Sequence, residues 1–244
     1  MPKETNDNPR ILFLDIETKL MEVYSFGIRD QYLQHTQIKS HGGISCVGLK
    51  WHGERKTTVF SEWDHGYGEM LRQVHAALCE ADAVATFNGA RFDIPKLNGA
   101  FLVAGLPPPP PPTQIDIFKT TRKMGFPSNK LDYVAPLLGL GSKIKHEGMP
   151  LWIKVLSGDE KAQAKMSRYC AGDVRLTEAV YDRIRPYITD HPRIGNRHGL
   201  MCPNCGSDHM TSQGWKISRT TRVQSLKCQG CGSWSQGKRE RIAA

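Results

Sequence analysis

Four acidic side chains in three separated segments have the types and spacing for metal-assisted phosphodiester chemistry. They are Asp15 and Glu17 in Ile11-Leu-Phe-Leu-Asp-Ile-Glu-Thr18, Asp93 in Asn88-Gly-Ala-Arg-Phe-Asp93, and Asp173 in Tyr169-Cys-Ala-Gly-Asp173. Two divalent cations about 3.5–4 Å apart can activate a water and stabilise a leaving 3′ oxygen during an in-line displacement. Hard cations held that close need several carboxylates converging from different elements. Asp15 and Glu17 are two residues apart at the end of a predicted strand, so both point to one face. On its own an Asp-x-Glu pair is equally a solvated strand end or a helix cap. Asp93 begins a predicted helix, where N-capping is the ordinary role of aspartate. Asn88 just before it either fixes a turn or contacts a substrate. Asp173 follows Tyr169 by four residues within one long predicted helix, hence on one face. Its neighbours there include Ala162, Met166, Cys170 and Val174, and an unpaired carboxylate among them is costly. A metal would remove that cost, and the Tyr169 hydroxyl could hydrogen-bond an attacking water or a phosphate oxygen.

The elements that must position these groups follow from periodicity. Ile11–Asp15 is a short apolar run suited to a buried strand, and Ile44–Trp51 and Thr57–Phe60 read as the next two strands around a Gly53 turn. Met70, Leu71, Val74, Ala77 and Leu78 recur at helical spacing and predict a helix over about 67–80. Ala83–Phe87 reads as another strand, followed by a helix from about Phe92 to Ala104 with Pro95 in its first turn. The six prolines 107–112 must be extended and exposed, as a stiff connector or a docking site for an aromatic groove. Ile115–Phe118 resembles a strand, and Leu131–Leu138 a short helix stopped at Gly139. Ser157-Gly-Asp-Glu160 has the form of a capping box and predicts a helix to about Arg185. Strands alternating with helices, the first three close in sequence, imply an α/β fold with a mixed sheet covered by helices.

A second chemistry lies in Cys202-Pro-Asn-Cys205-Gly and Cys228-Gln-Gly-Cys231-Gly, two near-identical knuckles separated by 22 residues. Four thiolates complete a tetrahedral zinc site, and about 45 residues without a sufficient core would fold around that metal. His198 and His209 are superfluous once four cysteines are counted. Cys46, Cys79 and Cys170 lie in apolar contexts and read as buried small residues. Trp215, Lys216, Arg219, Arg222 and Trp234 lie between or after the knuckles. They either contact nucleic acid through stacking and phosphate contacts or cover the metal and stay solvated, and protein docking is a further role open to the module.

At 244 residues and 39% hydrophobic content the chain can bury one full core and a small second unit. No apolar run approaches a membrane span, and the polar N-terminal segment lacks the apolar stretch of a signal peptide. The expected location is the cytoplasm, or a host-cell cytoplasm for a viral protein. The 33 basic and 24 acidic residues give a net charge of +9, consistent with a polyanionic partner or with ordinary solubility. Residues 196–244 carry eight Lys/Arg against Asp208 and Glu240, so the basic excess concentrates there.

Phe13-Leu-Asp-Ile-Glu-Thr18, Asn88-x-x-x-Phe92-Asp93 and Tyr169-x-x-x-Asp173 together resemble the three exonuclease motifs of the DEDD superfamily. The tyrosine at spacing four is similar to the DEDDy subtype found in proofreading domains of family B DNA polymerases. The sister subtype places a histidine where this chain has Arg168. Lys130-Leu-Asp-Tyr-Val-Ala-Pro-Leu-Leu-Gly-Leu-Gly-Ser-Lys143 also resembles the helix preceding the third motif. The resemblance covers about residues 10–187. It implies an RNase H-like fold and 3′→5′ nucleotide removal with two Mg²⁺ or Mn²⁺ ions held by Asp15, Glu17, Asp93 and Asp173. It further implies that Tyr169 orients the water, that Glu17 faces the terminal 3′-hydroxyl side, and that Thr18, Asn88 and Phe92 contact substrate. The cysteine module looks like a zinc ribbon holding one structural Zn²⁺. Asp116 reads as a sheet-end structural residue rather than a fifth metal carboxylate, and Lys143 and Lys145 read as solvated lysines, with phosphate contact the alternative. The segment Leu20–Gly43 and the proline run have no counterpart in the family pattern.

The expected organisation is an exonuclease domain over 1–190, a linker over 191–200 and a zinc ribbon with a basic tail over 201–244. The expected substrate is single-stranded DNA with a free 3′ end, with RNA the alternative. No polymerase segment is present, so a polymerase or another replication or repair protein would be a partner in trans. Two other functions fit the same fold: a non-catalytic binding or docking module, and a structure-specific endonuclease.

Overall fold

The computed structural model describes residues 10–29, 32–189, 191, 201–217 and 220–242. In chain order the N-terminal portion contains β1 (Ile11–Lys19), β2 (Glu22–Val23), β3 (Ile38–Ser40), β4 (Gly43–Trp51), β5 (Thr58–Ser61), α1 (Glu62–His65), α2 (Tyr67–Glu80) and β6 (Ala83–Thr86). Then come α3 (Asp93–Val103), β7 (Thr113–Asp116), α4 (Ile117–Thr121), α5 (Leu131–Leu137), α6 (Met149–Leu156) and α7 (Glu160–Ile184). The C-terminal portion contains β8 (Met210–Ile217), β9 (Thr221–Cys228) and β10 (Trp234–Arg241).

Five strands form the main sheet in the order β5-β4-β1-β6-β7. β1, β4 and β5 run antiparallel, while β6 and β7 run parallel to β1. Alternation along β1 decides what lies on each side. Leu12, Leu14 and Ile16 join Met70, Leu71, Val74, Leu97 and Phe101 of α2 and α3 in one core. Ile11 and Phe13 join Val134, Val174, Val180 and Tyr181 of α5 and α7 in the other. The result is the expected mixed α/β architecture, a five-stranded sheet with helices on both faces. The segment Leu20–Gly43 contributes the small β2–β3 pair.

α7 lies unusually close to β4. Gly48 faces it, and a Cβ at that position would come within 2.7 Å of Val174 and 3.0 Å of the Cys170 sulfur. The buried ion pair Lys50–Glu178 at 2.5 Å secures the same helix to the same strand.

Three boundaries and one helix differ from the sequence expectations. β1 continues to Lys19, so Asp15 and Glu17 lie within a strand rather than at its end. β7 stops at Asp116, whose carboxylate accepts from the Phe118 N–H and turns the chain into α4. The capping box does not form: Asp159 caps α7 by accepting from Ala162 N–H. The Ser157 hydroxyl instead donates to the Lys154 carbonyl at the end of α6, a helix with no sequence prediction. Prolines 107–112 form no regular element, and His75 contacts the Pro107 carbonyl at 2.7 Å. Among the described residues no helix is long and apolar enough to cross a membrane.

Candidate active site

The odd positions of β1 that bury Ile11 and Phe13 beneath α7 present Asp15 and Glu17 on the same side. Asp15 is opposite Gly48 and Glu17 opposite Cys46 in the register with β4. With no side chain at Gly48, α7 approaches until the Cys170 thiol reaches the Asp15 carbonyl at 3.6 Å. Asp173 is one turn further along α7. Ligand-capable oxygens of Asp15, Glu17 and Asp173 consequently lie within 4.8 Å of one another. A register irregularity between Glu17 and Thr18 ends the regular pairing beside this cluster, as bulges near functional sites commonly do by re-aiming side chains.

Crowded carboxylates hold protons. Burial first, then the charges of Asp93, Glu17 and Asp173, keep Asp15 well above the usual carboxylate range. Burial and the adjacent Asp173 push Glu17 up to about 8. Asp173 is raised by burial, and Lys143 pulls it back. The Lys143 ammonium sits 2.6 Å from Asp173 Oδ2 and donates to the Tyr169 hydroxyl at 3.0 Å. Burial alone would depress this lysine, but Asp173 overcomes it and the ammonium is held charged. Lys143 is therefore not a solvated lysine, as the sequence suggested. Asp173 Oδ1 is buried and accepts no hydrogen bond. Three converging carboxylates, a cation already against one of them and an orphaned oxygen on the same one together fit a divalent metal.

Asp93 is placed differently from the other three. It is the first residue of α3, not its N-cap, and its carboxylate accepts from the Ile16 N–H at 3.0 Å. Parallel pairing between β1 and β6 ends at Phe13–Ala85, so Ile16 has no strand partner on that side. Asp93 stands outside the three-carboxylate cluster but close enough to raise Asp15. Burial lifts it to about 6, with the Ile16 N–H working in the opposite direction. Asn88 adopts a left-handed φ of 70° and donates its N–H to Asp116 at 2.9 Å, so Asp116 has the structural role expected of it. The Asn88 side chain borders an open cavity of about 300 Å³ with Asp15, Lys130 and Lys143. Phe92 is 42% exposed, with Lys96 over its ring at 5.0 Å.

Thr18 borders a second cavity of about 240 Å³, whose wall includes Ser45, Trp63 and Trp152. The Ser45 hydroxyl donates to the Glu17 carbonyl at 3.0 Å. His146, Trp152 and Tyr169 form a triangle of steeply tilted rings, His146 5.0 Å from Trp152 and 4.8 Å from Tyr169, and the two larger rings 6.4 Å apart by their centroids. Burial and the nearby Asp173 push the Tyr169 hydroxyl up to about 12, and the Lys143 ammonium opposes them. Trp63, Trp152 and His146 carry no sequence signal of a role, because none has a motif partner at short spacing.

The four cysteines of the C-terminal portion form a second cluster, also with sulfurs within 4.8 Å of one another. Cys202 and Cys231 sulfurs are 3.7 Å apart, and those of Cys205 and Cys228 3.6 Å. Four sulfurs at ~2.3 Å from one tetrahedral zinc would be ~3.8 Å apart, so the set fits a zinc ion. Burial raises the Cys202 thiol, but the Ser233 hydroxyl and the knuckle N–H groups outweigh it and bring it down to about 7. Cys205 is shifted the other way, pushed up to about 12 by burial and by the neighbouring cysteines, so the metal-free cluster keeps protons that a zinc ion would displace. His209 is exposed, and Cys79 is only half-buried, unlike Cys46 and Cys170. Trp215 and Lys216 are adjacent on β8 and point to opposite faces. Arg222 is paired with Glu240 at 2.6 Å and lies 4.8 Å over the Trp215 ring. Arg219 and His198, and all of the predicted linker but His191, lie outside the described residues.

The sequence pattern of the RNase H superfamily matches residues 12–185 of the chain. No curated protein matches it. Among solved structures, the family B DNA polymerase of the hyperthermophilic archaeon Pyrobaculum calidifontis is similar, with a TM-score of 0.53 and 17% identity. The likeness covers 73% of this chain and 25% of that polymerase, so the chain spans about a quarter of its length.

Proposed function

The chain belongs to the RNase H superfamily, and we propose that it is a metal-dependent 3′→5′ exonuclease of the DEDDy kind with an appended zinc ribbon. The observation that carries this reading is the convergence of Asp15, Glu17 and Asp173, with Tyr169 and an orphaned Asp173 oxygen beside them. Asp15, Glu17, Asp173 and the nearby Asp93 would hold two Mg²⁺ or Mn²⁺ ions. Bound there, such ions lower the pKa of a water and neutralise charge on attacking and leaving oxygens.

The remaining work falls to the chain itself. Tyr169, protonated at neutral pH, donates its hydroxyl proton to a water or phosphate oxygen and holds it in line. Lys143 keeps a positive charge beside Asp173 and faces the cavity bordered by Asp15 and Asn88. The cavity at Thr18, with the indoles of Trp63 and Trp152, receives the 3′-terminal nucleotide, the cavity at Asn88 lies on the path of the nucleotides before it, and the exposed Phe92 ring is available to stack on a base. One zinc held by Cys202, Cys205, Cys228 and Cys231 folds the C-terminal sheet. The polymerase likeness favours DNA as substrate, single-stranded with a free 3′ end, and a replication or repair protein as partner.

The test is a nuclease assay on 3′- and 5′-labelled single strands of DNA and RNA, with and without Mg²⁺ or Mn²⁺. The expected result is metal-dependent release of mononucleotides from the 3′ end. Cleavage of a circular single strand, or turnover without added metal, defeats the proposal.

A further inference from the structure

The antiparallel register sorts the side chains of the C-terminal sheet into two unlike faces, because cross-strand partners share a face and neighbours along a strand alternate. Lys216, Val223 and Arg239 form one row across all three strands. Lys227 pairs with Trp234 further along the same face, and Arg241 lies at its other end opposite Thr221. Among the described residues that face thus collects four cations and an indole with no carboxylate. The opposite face holds Trp215, Ile217, Arg222 and Glu240. Its one arginine is already neutralised by Glu240 and stacked on Trp215.

The basic face also has a place for a flat apolar group. Trp234 is 58% exposed, and the Lys227 ammonium lies 5.8 Å from its ring centroid. Trp234, Lys216, Val223 and Ser225 border a cavity of about 290 Å³. An exposed indole beside a shallow cavity, with Lys227 over its ring and Lys216 at the cavity edge, matches a base that is free to leave its stack and a backbone that follows the charges along the face.

We propose that the Lys216–Trp234–Arg239 face is a binding platform for single-stranded polynucleotide. An unpaired base stacks on Trp234, and phosphates lie along Lys216, Lys227, Arg239 and Arg241. A duplex buries the faces of its bases and cannot use the indole. The choice of a nucleic acid over another polyanion rests on the nuclease reading above, whereas the choice of face rests on the register alone.

The full chain, loaded with zinc and without magnesium, is titrated into short fluorescein-labelled oligo(dT) and oligo(rU) while anisotropy is followed. Binding of either polymer supports the platform, and the tighter one identifies the preferred sugar. Trp234→Ala is expected to weaken binding roughly tenfold. Lys216→Gln combined with Arg239→Gln should reduce the salt slope by about 1.4, ~0.7 for each lost phosphate contact. Ser212→Glu changes the net charge as much as Lys216→Gln does but lies on the opposite face, and is expected to change affinity by less than about twofold because screening blunts distant charges. Zinc content confirms that each variant is folded, and should Trp234→Ala lose zinc, the charge variants decide alone. The platform is overturned if Ser212→Glu weakens binding as much as Lys216→Gln. It is equally overturned if duplex or poly-aspartate binds as tightly as the single strand. Nucleotide release by the wild-type chain is followed after adding magnesium to the same samples. Face-dependent binding without release refutes the nuclease reading and leaves the platform standing; release with face-independent binding does the reverse.

Discussion

The Lys143 ammonium is an internal cation against a candidate metal ligand, 2.6 Å from Asp173 Oδ2. It compensates one of several carboxylates whose mutual repulsion would otherwise strain the sheet where α7 crosses it. Truncating it leaves Asp173 buried beside Asp15 and Glu17 with no positive partner. Lys143→Met should lower the stability of the magnesium-free protein by about 1–3 kcal/mol, less than a fully buried pair because the lysine is partly exposed. Magnesium should raise the melting temperature of the variant by more than it raises that of the wild type. Thermal melts of both proteins with and without Mg²⁺ check this, and equal shifts contradict it.

The proton load of the same cluster sets a pH dependence. Glu17 titrates near 8 in the folded protein and near 4.5 in an ordinary setting, and Asp15 is likewise raised. The folded state therefore binds more protons than the unfolded state across that window, and stability falls as pH rises through it. Magnesium-free protein that retains its zinc should melt at progressively lower temperature between roughly pH 5 and pH 8. Added Mg²⁺ should flatten or invert the trend, since the ion competes with protons for the same oxygens. Melting temperature against pH, with and without the ion, is the measurement.

Residues that bear on the reaction itself should separate cleanly. Asp15→Asn and Asp173→Asn are expected to abolish nucleotide release with the fold retained, because each removes charge from the cluster without opening a cavity. Tyr169→Phe keeps the ring against His146 and loses only the hydroxyl. Its rate should fall on the order of 10²-fold through misplacement of the reacting oxygen, with the magnesium requirement unchanged. Full activity in Asp173→Asn would remove the metal reading.

Gly48 links packing to this chemistry. The Cβ of Gly48→Ala would meet Val174 at 2.7 Å and the Cys170 sulfur at 3.0 Å. Neither can retreat without moving α7, which carries Tyr169 and Asp173. The substitution should cost about 1–3 kcal/mol of stability, as overpacking typically does, and reduce nucleotide release by more than the unfolded fraction explains. Urea unfolding and turnover measured on the same preparation distinguish the two effects.

The sequence carried some of this arrangement plainly and hid the rest for physical reasons. The alternation of Ile11, Phe13, Asp15 and Glu17 and the helical spacing of Met70, Leu71, Val74 and Leu78 depend only on local geometry, and both are seen in the fold. The hydrogen bond from the Ile16 N–H to Asp93 is not readable, because it depends on where β6 leaves β1 and joins residues 77 apart in sequence. Ser157 and Asp159 compete to cap α7, and the outcome turns on a preceding short helix that needs the Ser157 hydroxyl for its own end. Lys143 lies in a segment without periodicity between α5 and α6, so only the folded chain shows that it reaches Asp173. Trp215 and Lys216 look like one cluster in the sequence, and strand pleating separates them.

The C-terminal portion offers the last test, because its strands have little to hold them besides the cysteines. Among the described residues only Cys202, Leu226 and Cys228 are buried apolar groups there, far too few to balance the ordering entropy of three strands. The sulfur spacings of 3.6 and 3.7 Å suit one shared ion rather than disulfides, whose sulfurs would lie at ~2.05 Å. Arg185 donates to the Asn204 carbonyl, and the Asn204 side chain returns a bond to the Arg185 carbonyl at 2.7 Å, so the first knuckle rests on the end of α7. If the four cysteines share one zinc, Cys228→Ser should abolish its binding, expose residues 201–242 to proteolysis, and leave the five-stranded sheet melting cooperatively at a slightly lower temperature because the Arg185 contacts are lost. Zinc content by atomic emission and limited proteolysis read the first two outcomes. A variant that keeps one zinc per chain, or one in which the whole molecule unfolds together, contradicts a separately metal-folded unit.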